Sequence, residues 1–123
     1  VTPDELSRLL LNAAGRAPAE MRRTVEAATK RVQDAAQRNA RAANRVHARG
    51  LAATIGADVS AAGERVEGEV GYDKVGVGNL GAVLEYANGR AHNAPQRNLG
   101  RALDVEELRF PDAVGDMGER LLR

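Results

Sequence analysis

The 123-residue chain contains no cysteine. That excludes a disulfide framework, a zinc–thiolate site and a thiol nucleophile. Tryptophan is also missing, and the only aromatic residues are Tyr72, Tyr86 and Phe110. The hydrophobic share is 43%, but much of it is alanine. A domain of this size buries a smaller fraction of its surface than a large one. Its core should therefore be thin, with part of its stability coming from packing against copies of itself or against partners. No run of about 18 apolar residues is present, so no transmembrane span is expected. No charged-then-apolar leader pattern opens the chain either. The expectation is a soluble protein made in the cytoplasm, with no membrane partner.

Catalytic chemistry is equally sparse. Ser7 and Ser60 are the only serines, and neither sits in a G-x-S-x-G setting. His47 and His92 are the only histidines, and no carboxylate cluster at ligand spacing surrounds them. His47 falls late in a helical stretch, where imidazolium suits the helix macrodipole. His92 reads as a hydrogen-bonding loop residue. Glu67 and Glu69 share one strand face and could form an acid/base pair, or simply solubilise a strand edge. Gly76-Val77-Gly78-Asn79-Leu80-Gly81 matches G-x-G-x-x-G. Fewer than about 50 residues follow it, too few for repeated strand–helix–strand units, so a flexible turn is the better reading. No catalytic residue, metal site or cofactor is expected.

What the chain does have is arginine and helix signals. Basic residues number 18, of which only Lys30 and Lys74 are lysine, and acidic residues number 17. Arginine over lysine, with abundant Ala, Gly and Val, is the coding bias of a GC-rich genome. The charge is unevenly spread. Residues 1–50 carry 10 Lys/Arg against 5 Asp/Glu, while residues 51–123 carry 8 against 12. Two readings follow: a bipolar subunit that stacks head to tail, or a solvated basic helix beside an acidic sheet.

Thr2-Pro3-Asp4-Glu5 is a helix start with a capping box. Leu6, Leu9, Leu10 and Ala13 form one apolar stripe, and Gly15 is the expected stop. Pro18 opens a second, long helix to Arg49, with Gly50 beyond it. Its seam reads Met21, Val25, Ala28, Val32, Ala35, Asn39, Ala42 and Val46, spaced by threes and fours. Arg22, Arg23, Lys30, Arg31, Arg38, Arg41, Arg45 and Arg49 lie along the same helix. They form either a solvated or subunit-contacting face, or a nucleic-acid groove that lacks aromatic residues for base stacking.

The pattern then changes period. Leu51–Ser60 and Glu64–Tyr72 read as a β-hairpin around Ala61-Ala62-Gly63. Arg65, Glu67 and Glu69 point outward, while Val66, Gly68 and Val70 face the long helix. Asn79–Tyr86 reads as a short helix or an irregular turn. Pro95–Leu103 is a short helix, and Pro111 starts another. The expectation is a single α+β domain over residues 1–123: an N-terminal helix pair packed on a small antiparallel sheet, with short C-terminal helices.

Two segments carry a family resemblance. Leu84-Glu85-Tyr86-Ala87-Asn88-Gly89 resembles a "vEfG" element. Ala94-Pro95-Gln96-Arg97-Asn98-Leu99-Gly100-Arg101-Ala102-Leu103 resembles "AP.pFL.pAL", with Arg97-Asn98 where an aromatic residue is usual. The chain thereby resembles the tailed-phage neck or head–tail joining family, often called gene-ten-like neck proteins. The coding bias suits a phage of an actinobacterial host. The resemblance implies a structural, non-enzymatic virion protein of the neck or upper tail, made in the host cytoplasm. It implies a homo-oligomeric ring, hexameric or alternatively dodecameric, that contacts neighbouring neck and tail proteins while DNA passes through without sequence-specific binding. A tail terminator or minor tail protein is the alternative within the virion. A small Arg-rich nucleic-acid-binding protein is the alternative outside it. The expected interface residues are Glu85, Tyr86, Asn88, Gly89, Arg90, His92, Asn93, Pro95, Arg97 and Arg101. Arg90, Arg97 and Arg101 would offer forked donors to a neighbour's carboxylates.

Overall fold

Thr2 behaves as its sequence context requires. Its Oγ1 accepts from the Glu5 amide at 3.1 Å, and the Glu5 carboxylate accepts from the Thr2 amide at 2.9 Å. This capping box opens α1, which runs Pro3–Ala43 in the computed structural model. Residues 2–44, 50–73, 78, 81–85 and 96–123 are described, apart from the side chains of 82 and 83. The expected helix pair is one helix of 41 residues, which passes through both Gly15 and Pro18. Glycine costs an interior helical position about 1 kcal/mol and proline removes a hydrogen bond. The flanking alanines favour helix, and a tertiary clamp closes on the weak turn. The Arg16 guanidinium donates to the Leu121 carbonyl at 2.7 Å, and Glu20 sits 3.4 Å from Arg120.

α1 also ends earlier than expected. The Asn44 amide and side chain both donate to the Ala40 carbonyl, at 3.0 and 2.8 Å. Residues 45–49 lie outside the described part. The buried residues are Thr24, Ala28, Thr29, Val32, Ala36 and Ala40; of the expected seam Ala28 and Val32 are buried, Met21, Val25, Ala35 and Asn39 are half-buried, and Ala42 is exposed. The steps of four from Thr24 to Ala40 outrun the 3.6-residue turn, so this buried line winds around the helix. It does so because two different elements cover α1 from different sides.

One of them is the hairpin. β1 (Ile55–Ala62) and β2 (Arg65–Tyr72) pair antiparallel from Ile55↔Tyr72 to Ala62↔Arg65. Gly63, at φ 60°, supplies the left-handed turn. The first strand starts later than expected because Ala52–Thr54 forms a single 3-10 turn. As the alternation predicts, Arg65, Glu67 and Glu69 are exposed while Val66 and Val70 are half-buried. The inner face sits close on α1. A Cβ at Gly68 would overlap the Thr29 side chain, and Gln33 and Gln37 both donate to the Ile55 carbonyl.

The other is the C-terminal helix. After a short α2 (Gly81–Glu85), α3 spans Asn98–Leu121 as one helix of 24 residues, not two short ones. Pro111 is tolerated inside it because it and Glu107 are both exposed, so water can serve the carbonyl that loses its amide partner. α3 runs antiparallel to α1. Asn98 lies against Asn39, Glu106 against Arg31, and Arg120 against Glu20. The fold is thus α+β: a long N-terminal helix, a two-stranded antiparallel sheet and a C-terminal helix. The core gathers where they meet, around Val32, Ala36, Ala40, Ala52, Ile55 and Ala102. It is thin. Among the described residues, Leu51, Ile55 and Asn98 are the largest side chains fully shielded from solvent. Among the described residues, no helix is long and apolar enough to cross a membrane.

Candidate interaction surface

The segment with the family resemblance is anchored from both ends. The Gln96 amide donates to the Leu84 carbonyl at 2.7 Å, and the Arg97 amide donates to the Glu85 carbonyl at 3.2 Å. The two ends of the intervening stretch are therefore tied together. Of the expected interface residues, Tyr86, Asn88, Gly89, Arg90, His92, Asn93 and Pro95 lie outside the described residues, as does His47.

Glu85 faces inward. It is 4% exposed, and its carboxylate accepts from the Leu99 and Gly100 amides at 2.7 and 3.0 Å. Those amides belong to the first turn of α3, which has no capping side chain of its own. Arg97 occupies the cap position in the left-handed conformation instead. Glu85 therefore caps α3 from a distant segment, its negative charge set on the positive end of the helix macrodipole. Arg97 is exposed and pairs with Asp104 at 3.4 Å, and Arg101 is exposed.

Beside the cap lies a buried polar junction. Asn44 and Gln96 form a reciprocal amide pair, with both N–H···O distances 3.0 Å. The Asn98 side chain donates to Gln96 at 2.9 Å and to the Tyr72 hydroxyl at 3.2 Å, while its backbone carbonyl accepts from the Asn39 side chain at 3.1 Å. The Asn98 Oδ1 is buried and has no partner. Amide side chains carry no periodic signal, so sequence reasoning did not find this junction and placed Asn39 only as a seam position. The junction fixes the register of α3 on α1.

Tyr72 senses this environment. Burial first, then the nearby Glu85 charge, push its phenol above the usual 10.0, against the opposing Asn98 hydrogen bond. The folded state holds this proton more tightly than the unfolded chain. Stability is therefore fully present below the unfolded pKa and falls as pH rises through the folded one. Urea midpoints measured near pH 8 and near pH 11 should drop less in Tyr72→Phe than in the wild type. Equal drops would show that folding does not shift the Tyr72 pKa.

The other sequence candidates are scattered. Glu67 and Glu69 lie on the outer hairpin face, and Glu67 pairs with Arg65. Gly78 and Gly81 are buried. A Cβ at Gly78 would overlap the Asp73 carbonyl, and one at Gly81 the Tyr72 ring, so close packing accounts for these two glycines. Among the described residues, no group of three or more His, Asp or Glu could hold a metal. Much of the basic row on α1 is internally paired: Arg22 with Glu26, Arg23 with Glu20, Lys30 with Asp34 and Arg31 with Glu106. The oppositely charged halves of the chain lie side by side rather than at opposite poles.

Two apolar surfaces stand open. The first is the start of α1. The end of α3 lies opposite Arg16, and Leu6, Leu10 and Leu11 before it are 47%, 53% and 73% exposed. The second is a groove of about 1270 Å³. Val25, Ala28 and Val32 of α1 form its floor, residues of β1 and β2 form one wall, and Leu99, Leu103 and Phe110 of α3 form the other, with Asp58, Glu69, Glu106 and Glu107 also lining it. Sequence reasoning found the Leu6–Ala13 stripe but not the groove, which exists only once three elements meet. Comparison with protein-family models, curated proteins and solved structures found no match.

Proposed function

We propose that this chain is a structural protein of the head-to-tail connector of a tailed phage, forming a ring that joins the DNA-filled capsid to the tail. The observation that carries this reading is the bond between Glu85 and the first turn of α3. It joins described parts of the two segments that resemble the neck family, Leu84-Glu85 and Leu99–Leu103, into one unit. The open apolar surfaces support an assembly role, because contiguous exposed apolar patches mark interaction sites. The internal pairing of the α1 cations leaves fewer free charges for phosphates, which favours assembly over nucleic-acid binding.

Disrupting the gene in its phage is the direct test. Filled heads and detached tails should accumulate, and purified wild-type particles should contain the chain as a ring of subunits, six by the family resemblance. Infectious particles formed without it would end this reading. Purified protein should also show no steep salt-dependent binding to duplex DNA. Such binding would favour the regulator alternative instead.

A further inference from the structure

The two open apolar surfaces match each other. From Pro3 to Arg16, α1 extends about 20 Å as a bare helical arm. Leu6, Leu9, Leu10 and Ala13 line one side of it at steps of three and four. A helix about 10 Å across and 20 Å long fills roughly 1600 Å³, so the open groove of 1270 Å³ would take one face of the arm rather than all of it. The apolar part of the groove wall on α3, from Leu99 to Phe110, is about 17 Å long, close to the length of the arm.

The arm cannot reach its own groove. Arm and groove floor belong to one uninterrupted helix, with Leu10 and Ala28 about 27 Å apart along it. A symmetric pairing of two arms would bury only a few leucines per chain, well below the roughly 800 Å² per partner of a stable interface. It would also leave Leu103, 51% exposed, uncovered. Arm in groove covers the Leu6–Ala13 side of the arm and the groove at once, and every copy both gives and receives.

We infer that the Leu6–Ala13 arm of one copy docks in the hairpin–α3 groove of the next, giving a heterologous contact between identical chains. Such a contact closes into a ring or grows into a filament, depending on its rotation. The inference concerns self-association alone and stands apart from the placement in a virion.

The lack of cysteine makes the test clean. Full-length Leu10→Cys and Leu103→Cys variants, mixed at low concentration and oxidised, should form a mixed disulfide between two chains. In a double variant the same bond should yield a ladder or a closed oligomer. In light scattering, Leu6→Glu/Leu10→Glu should weaken self-association at least ~30-fold, because a charge would enter an apolar contact. At concentrations low enough for both proteins to be monomeric, its thermal unfolding should match the wild type, since the arm overhangs α3. Three results would each overturn the inference: a wild-type protein that stays monomeric at all concentrations, Leu10→Cys dimers formed in preference to the mixed disulfide, or an arm variant that associates normally. If virions still require the protein after such a result, the connector reading survives without this contact. If the arm contact holds but virions form without the protein, the reverse is true.

Discussion

Arg31→Met should destabilise the protein by about 2–4 kcal/mol, the largest effect expected from any single ion pair here. The guanidinium meets Glu106 with two bonds, at 2.6 and 3.1 Å. The Glu106 side chain is only 8% exposed. This hydrogen bond, opposed by burial and helped by the Glu106 charge, raises Arg31 above its usual pKa. Removing the cation leaves a carboxylate buried between α1 and α3 with no counter-charge, and that is the costly half of breaking a buried pair. Arg31 itself is 31% exposed, which is why the range lies below that of a fully buried pair.

Arg31→Met/Glu106→Leu should recover to within about 1 kcal/mol of the wild type, since both charges are then gone and apolar volume remains. Breaking the exposed Arg22–Glu26 pair, whose side chains are 52% and 48% exposed, should cost under about 0.5 kcal/mol. Urea denaturation of the four variants measures all of this. If Arg31→Met costs no more than the Arg22 control, water reaches Glu106 and the pair is a surface pair.

That contrast also marks what the sequence could reveal. The Thr2–Glu5 capping box was legible because its two partners lie three residues apart. The hairpin was legible because β2 alternates cleanly between Val66, Val70 and their charged neighbours. Gly15, Pro18 and Pro111 misled because breaker residues act through local propensity, and tertiary contact overrode it. The Arg16–Leu121 bond that holds α1 through its weak turn spans 105 positions. Nothing local announces such a partner. The interface candidates divide the same way. Arg97 and Arg101, expected at a subunit interface, are exposed, and Arg97 pairs with Asp104 of its own chain. Glu85 turned inward because the first turn of α3, with Arg97 at its cap position, lacked a local acceptor.

The charge pattern shows the same limit. A basic first half and an acidic second half are plain in the composition, and they suggested either two poles or a basic helix beside an acidic sheet. The antiparallel course of α3 lays one half along the other, so Arg31–Glu106 and Glu20–Arg120 run between them. The separation in sequence thus becomes a seam within the molecule. Apolar surface, rather than a charge dipole, remains as the driving force for the proposed association. This is why the arm and groove, and not the net charge, carry the assembly argument.

Glu85→Ala is the second large effect expected, at about 2–4 kcal/mol. An ordinary N-cap loss costs roughly 0.5–2 kcal/mol. Here the acceptor is charged, which roughly doubles the strength of such bonds. It is also 4% exposed, so the Leu99 and Gly100 amides would be orphaned with little access to water. Glu85→Gln should cost about half as much, since an amide keeps one acceptor oxygen but loses the charge that favours a helix N-terminus. Hydrogen exchange at the Leu99 and Gly100 amides should quicken in Glu85→Ala, beyond what global destabilisation accounts for. The contrast with Arg31→Met is diagnostic. Loss of the ion pair should loosen the middle of α3, whereas loss of Glu85 should fray its first turn, next to Leu99 and Leu103 in the groove wall. Glu85→Ala should therefore weaken the proposed arm contact as well as the fold. A variant within about 0.5 kcal/mol of the wild type would mean that the first turn of α3 finds water or another acceptor, and that Glu85 is not its cap.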